Sequence, residues 1–174
     1  METGLSLASV LAIAIASFVI VIVPGPTVTV IIANSLRDGA RAGLLNVAGT
    51  QAGLVPMVLI VALGLNTVVA LMAEWFFWIK LAGAAYLIWL GYRLWRSDGS
   101  IGDVAQVKRP SMGYFWQGLL VIWSNPKALL FFGAFLPQFI DPAGNAFAQM
   151  VTGGVIFMVV ATVFDSLYAL LAGR

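Results

Sequence analysis

LSLASVLAIAIASFVIVIVPGPTVTVIIA, residues 5–33, is the stretch that decides how this chain folds. It contains no charged residue and does not alternate, and its length exceeds the roughly 20 apolar residues that a helix needs to cross a bilayer. Deep inside it stands Pro24-Gly25-Pro26. Proline removes an N–H, clashes with the carbonyl one turn back and pushes the preceding residue out of the helical region. The run is therefore expected to be a membrane span whose helix breaks part-way. Backbone groups freed inside a membrane are tolerated only against protein or a watery cavity, so the break itself marks a place of interest.

The rest of the chain agrees with a lipid solvent. Of 174 residues, 61% are hydrophobic and 9% charged, and the mean hydropathy is +1.01. The apolar runs are too long and unalternating for barrel strands, which leaves an all-α integral membrane protein. Five spans are predicted, at about 5–33, 42–66, 69–92, 114–138 and 146–172, forming a single transmembrane domain over 1–174. Residues 93–113, with Arg93, Arg96, Asp98, Asp103, Lys108, Arg109 and Pro110, form a polar connector. Met1-Glu2-Thr3 lacks the basic start of a signal peptide and residues 5–33 are too long for one, so the first span is expected to be retained. A small chain of five spans is compatible with a homodimer.

Sorting Lys and Arg among the short loops gives the orientation. Arg37 and Arg41 follow span 1, Arg93, Arg96, Lys108 and Arg109 follow span 3, and Arg174 follows span 5, all on one side. The other side carries Glu2, Glu74 and Asp141. This predicts a periplasmic amino terminus and places residue 174 in the cytoplasm. Trp75, Phe76, Phe77 and Trp78 at one end of span 3, and Tyr92 and Trp95 at the other, read as interfacial anchors. Gly49 and Gly53 in span 2 read as a surface for close helix packing.

Some functions are excluded by composition. The chain has no Cys and no His, which removes thiol chemistry, the usual proton shuttle and the commonest metal ligand. The basic residues that give a pI near 9.2 are scattered rather than clustered, so nucleic acid is not an expected partner. The reading is neither an enzyme nor a metal-ion exporter, and no cofactor is expected.

Span 4 repeats the opening feature. Asn125-Pro126 lies at a corresponding depth, Pro26 and Pro126 are 100 residues apart, and Val21-Ile22-Val23 runs parallel to Val121-Ile122-Trp123. A unit of three spans is odd, so its second copy enters the membrane from the other side. A partial 3+3 inverted repeat with broken helices 1 and 4 is how many secondary transporters build a midplane site. The alternative is a non-transporting scaffold with two kinked helices.

Three ionisable residues lie within spans, where charge needs a partner or a task. Lys127 follows the second break directly, far from either interface, and with nearby free N–H groups is suited to a carboxylate. Asp165, on one helical face with Tyr168, is open to three roles: amine binding, proton transfer or neutralising a lysine. Lys80 lies close enough to the outer end of span 3 to snorkel. Thr27, Thr29, Asn34, Asn46 and Gln51 are candidate lining residues, each equally explained by helix–helix hydrogen bonds.

Together these motifs resemble the LysE/RhtB family of amino-acid exporters, with likeness to its homoserine and threonine exporters. The resemblance rests on Pro24-Gly25-Pro26-Thr27, Ser35-Leu36-Arg37-Asp38-Gly39, Gly49-Thr50-Gln51-Ala52-Gly53, Lys80-Leu81-Ala82-Gly83-Ala84-Ala85-Tyr86-Leu87, Asn125-Pro126-Lys127 and Phe135-Leu136-Pro137-Gln138-Phe139. It implies export of amino acids or their derivatives across the bacterial inner membrane by proton antiport. It points to Pro24, Gly25, Pro26, Gln51, Lys80, Gly83, Tyr86, Asn125, Pro126, Lys127 and Asp165. Two departures are expected to matter. Some members carry histidine where this chain has Pro56, and the family pattern continues into a sixth span beyond Arg174.

Overall fold

A computed structural model of the chain describes residues 4–64, 85, 88, 92, 110–141 and 143–174. Among them the regular structure is helical throughout. Most of predicted span 3 and of the connector, and with them Lys80, Gly83 and Tyr86, lie outside the described residues.

Helix α1, Leu7–Ile22, starts on a Ser6 cap whose hydroxyl accepts from the Ser9 N–H at 3.1 Å. It stops where the sequence predicts: Val23, the residue before Pro24, is extended. Gly25 is extended too, and Pro26 opens α2, Pro26–Asp38, in the first-turn position where a missing N–H costs nothing. The two helices meet at 52°. Gly39, at φ 83°, ends α2 with its N–H on the Ser35 carbonyl. The helical path thus runs past residue 33, where hydropathy ends the span.

Helix α3, Ala40–Gly64, continues through Pro56. Helix α4, Tyr114–Trp123, leads into the second break. There Asn125 is extended before Pro126 and caps α5, Pro126–Leu130, by accepting from the Lys127 N–H at 3.0 Å. Beyond α5 the chain widens into a π turn, Phe131–Phe135, and tightens into a 3₁₀ turn, Leu136–Phe139. This second pair is bent by 48°. Helix α6, Ala146–Ala172, is 27 residues long, capped by Asn145, and matches the predicted fifth span.

Helices α3 and α6 are each long and apolar enough to cross a membrane, and each bent pair qualifies when taken as one span. Exposed Val155, Val159, Val163, Leu167 and Leu170 run down α6 at helical spacing, a face suited to lipid. The first half of one broken helix packs beside the second half of the other: α2 lies against α4, and α1 against residues 136–139. The two broken helices therefore run antiparallel. Helix α6 packs along both halves of the first.

Glycine sets the closest of these contacts. A Cβ on Gly49 would collide with the Phe115 carbonyl, and one on Gly118 with the Asn46 carbonyl, so α3 and α4 cross backbone against backbone. The larger core cluster joins Ile13, Leu54, Phe131, Phe132, Leu136, Met150 and Phe157. A smaller one joins Ile31, Val47 and Ala169. Val21, Ile122 and Ala128 of the larger cluster flank the two breaks.

Candidate functional site

The last turn of α1 leaves carbonyls without helical partners, as every helix end does. Here Ile20 and Val23 are half-buried and Ile22 is exposed, and donors come from distant parts of the chain. The Lys127 ammonium donates to the Ile20 carbonyl at 2.6 Å and to the Val23 carbonyl at 2.7 Å. The Tyr168 hydroxyl donates to the Ile22 carbonyl at 3.1 Å. A cation at the negative end of a helix is favourable in its own right. Gly25 makes room for it, since a Cβ there would stand 3.3 Å from Nζ and 3.4 Å from Cε.

The breaks are also joined side chain to side chain. Asn125 Nδ2 donates to Thr27 Oγ1 at 2.8 Å across 98 positions of sequence. One amide thus caps α5 with its oxygen and ties α2 with its nitrogen.

Around these contacts lies a cavity of about 30 Å³, with Gly25, Thr27, Thr50, Asn125, Lys127 and Asp165 in its wall. Lys127 is 9% exposed and Asp165 3%. Among the described residues the two form no ion pair, and neither Asp165 Oδ1 nor Thr50 Oγ1 has a hydrogen-bond partner. Unpaired buried oxygens are costly, so these two are open acceptors facing a small space. A space of this size holds one or two waters.

Towards the Arg37 end the side chains pack and hydrogen-bond to one another. After Ile31 and Val47 comes a polar network in which Asn34 Nδ2 donates to Asn46 Oδ1 and Gln117 Oε1, both at 2.7 Å. Arg37 Nη2 donates to Asn34 Oδ1 at 2.6 Å, and the Tyr114 hydroxyl donates to Asp38 Oδ2 at 2.9 Å. Towards the other end, Phe131, Phe132 and Phe157 pack with ring centroids 4.6 to 5.2 Å apart.

The structure thus brings Gly25, Thr27, Asn125, Lys127 and Asp165 together around one cavity. Pro24, Pro26 and Pro126 act through the breaks they cause, and Tyr168 reaches the same broken end from outside the cavity wall. Gln51 faces elsewhere, into a groove with Val155, Met158 and Thr162, while Thr50 beside it faces the cavity. Asn34 and Asn46 belong to the polar network rather than to the cavity. Reading the sequence missed the carbonyls of Ile20, Ile22 and Val23, although a helix broken at Pro24 implies orphan carbonyls just before it.

The model of LysE type translocators matches residues 18–174. The chain belongs to that family. This translocator is 37% identical to the homoserine/homoserine lactone efflux protein of Salmonella typhimurium over 152 residues, covering 87% of this chain and 74% of that protein. It is 36% identical over 154 residues to an uncharacterized membrane protein of Bacillus subtilis, covering 83% and 73%. To the leucine efflux protein of Klebsiella pneumoniae it is 28% identical over 151 residues, covering 84% and 67%. No solved structure matches it.

Proposed function

We propose that this translocator exports an amino acid or amino-acid derivative across the bacterial inner membrane, in exchange for protons, through the cavity between its two breaks. The observation that carries the reading is the meeting of Lys127 and Asp165 at that cavity, in a chain whose relatives are named as efflux proteins for homoserine, homoserine lactone and leucine. All three solutes carry a primary amino group, while the carboxylate of homoserine is closed into an ester in its lactone. A buried cation and a buried carboxylate suit a zwitterion. Lys127 is assigned to the solute carboxylate, Asp165 to the amino group or the coupling proton, and Asn125 and Thr27 to holding the breaks in register. Lys80 and Gln51 remain assigned through the family pattern.

At about 30 Å³ the cavity is too small for an amino acid, so transport requires the halves of the broken helices to move apart. The antiparallel pairing of these helices supports an inverted repeat, in which alternate access comes from rocking one half against the other. The basic residues Arg37 and Arg41 assign the end that holds the polar network to the cytoplasm.

The test is counterflow in proteoliposomes. Vesicles preloaded with homoserine, leucine, threonine or lysine are given the labelled solute outside. Accumulation of at least one, faster under an imposed proton gradient, is expected. If no amino acid or derivative accumulates above protein-free vesicles, the export reading fails; accumulation indifferent to the gradient removes the proton.

A further inference from the structure

Lys127 is spent in this structure: its ammonium already donates to two carbonyls and lies between the ends of two broken helices. A lysine so placed is not presented to an incoming carboxylate. What the protein has built around it is a receptor for a cation. The Ile20 and Val23 carbonyls accept, and Asp165 lines the same cavity with one oxygen unpartnered among the described residues. Thr50 adds a second open hydroxyl acceptor. Gly25 contributes by having no side chain. Carbonyls at an unwound helix end and a carboxylate are a donor-seeking set, matched by an ammonium with several N–H groups and not by an anion.

We propose that the broken end of α1 is a primary-ammonium site, and that Lys127 is its tethered occupant, holding it until the amino group of a solute takes its place. The solute's identity rests on the export reading above; the site itself rests on the carbonyl geometry. Exchange of one ammonium for another leaves the carbonyls satisfied at every stage. The displaced lysine is then free for the carboxylate of the same solute, where one is present. For a zwitterion the charge inside the membrane then stays balanced, which avoids the cost of an unpaired buried ion. An empty site without Lys127 would leave those carbonyls unpaired, so the lysine also keeps the unloaded protein intact.

The inference is tested by emptying the site and offering a free occupant. Lys127→Met and Lys127→Ala are purified in detergent, and thermal unfolding is followed with methylammonium, tetramethylammonium or sodium chloride at equal concentration. Methylammonium near saturation is expected to raise the midpoint of both variants by about 3 °C or more and to leave the wild type unmoved. Tetramethylammonium, which has no N–H, is expected to do nothing. An equal response of wild type and variants, or none in either variant, overturns the site. Should neither variant be recovered folded, competition in wild-type counterflow decides. Amino-acid amides, which keep the amine, should compete within about tenfold of the parent, and N-acetyl derivatives should lose at least that factor. The reverse order overturns the proposal. Counterflow without a methylammonium effect leaves export standing and removes the ammonium site; a methylammonium effect without counterflow does the opposite.

Discussion

The two breaks share a cause and differ in what they leave behind. At the first, Val23, Pro24 and Gly25 separate α1 from α2, and none of the three has a polar side chain. Its carbonyls have to be satisfied from elsewhere. At the second, Ser124 and Asn125 separate α4 from α5, and the break brings its own cap in Asn125 and its own cation in Lys127. One break is all acceptor and the other supplies donors. The pair works as two complementary halves rather than two copies, and a single-residue change on the donor side should therefore cost more than one on the acceptor side.

That asymmetry can be broken most severely at Lys127. Lys127→Ala removes both donors to the Ile20 and Val23 carbonyls and is expected to abolish counterflow, with the protein still recovered from the membrane fraction. Each carbonyl left buried and unpaired costs about 1–3 kcal/mol, so the unfolding midpoint should fall as well. Export at the wild-type rate would remove Lys127 from the site. Next comes Asn125→Ala, which loses the α5 cap and the tie to Thr27 together. A loss of about 1–2 kcal/mol by denaturant titration is expected, with transport reduced but measurable. If Thr27→Val costs as much, the cap rather than the tie is the smaller share.

On the acceptor side, Gly25→Ala places a methyl 3.3 Å from the ammonium, which has to shift by a few tenths of an ångström. Transport should fall several-fold while stability changes by less than about 1 kcal/mol, a split that initial-rate assays and unfolding curves would show. The smallest effect is assigned to Tyr168→Phe, which withdraws one hydroxyl from the Ile22 carbonyl and is expected to cost about 0.5–1.5 kcal/mol with transport nearly kept. A larger loss of transport than of stability would promote Tyr168 from support to solute contact.

Much of this was legible because proline acts locally. The Pro24-Gly25-Pro26 and Asn125-Pro126 breaks follow from residue types at fixed offsets, and the start and end of α6 from the apolar run over 146–172. The end of α2 did not: hydropathy falls after Ala33, yet the helix runs on to Asp38, with Asn34 bonded to Asn46 and Gln117 and Arg37 to Asp38. The partners of Asn34 come from other segments, and nothing at position 34 announces them. The rotation of α3 was equally hidden, because an apolar helix has little polar pattern to fix its phase. Gln51 is the candidate that the sequence offers and Thr50 is not, yet about 100° of helix separates Thr50, which faces the cavity, from Gln51, which does not. The carbonyls that hold Lys127 could be counted in advance but not located, since backbone atoms carry no letter.

Gly49 and Gly118 bring a mechanical consequence. Two helices that touch through bare backbone have no side-chain slack on which to slide, so α3 and α4 have to travel as one lever. Any opening of the cavity then turns at the short link Ser124-Asn125, and the amide of Asn125, bonded to both α5 and α2, is the pin on which that lever swings.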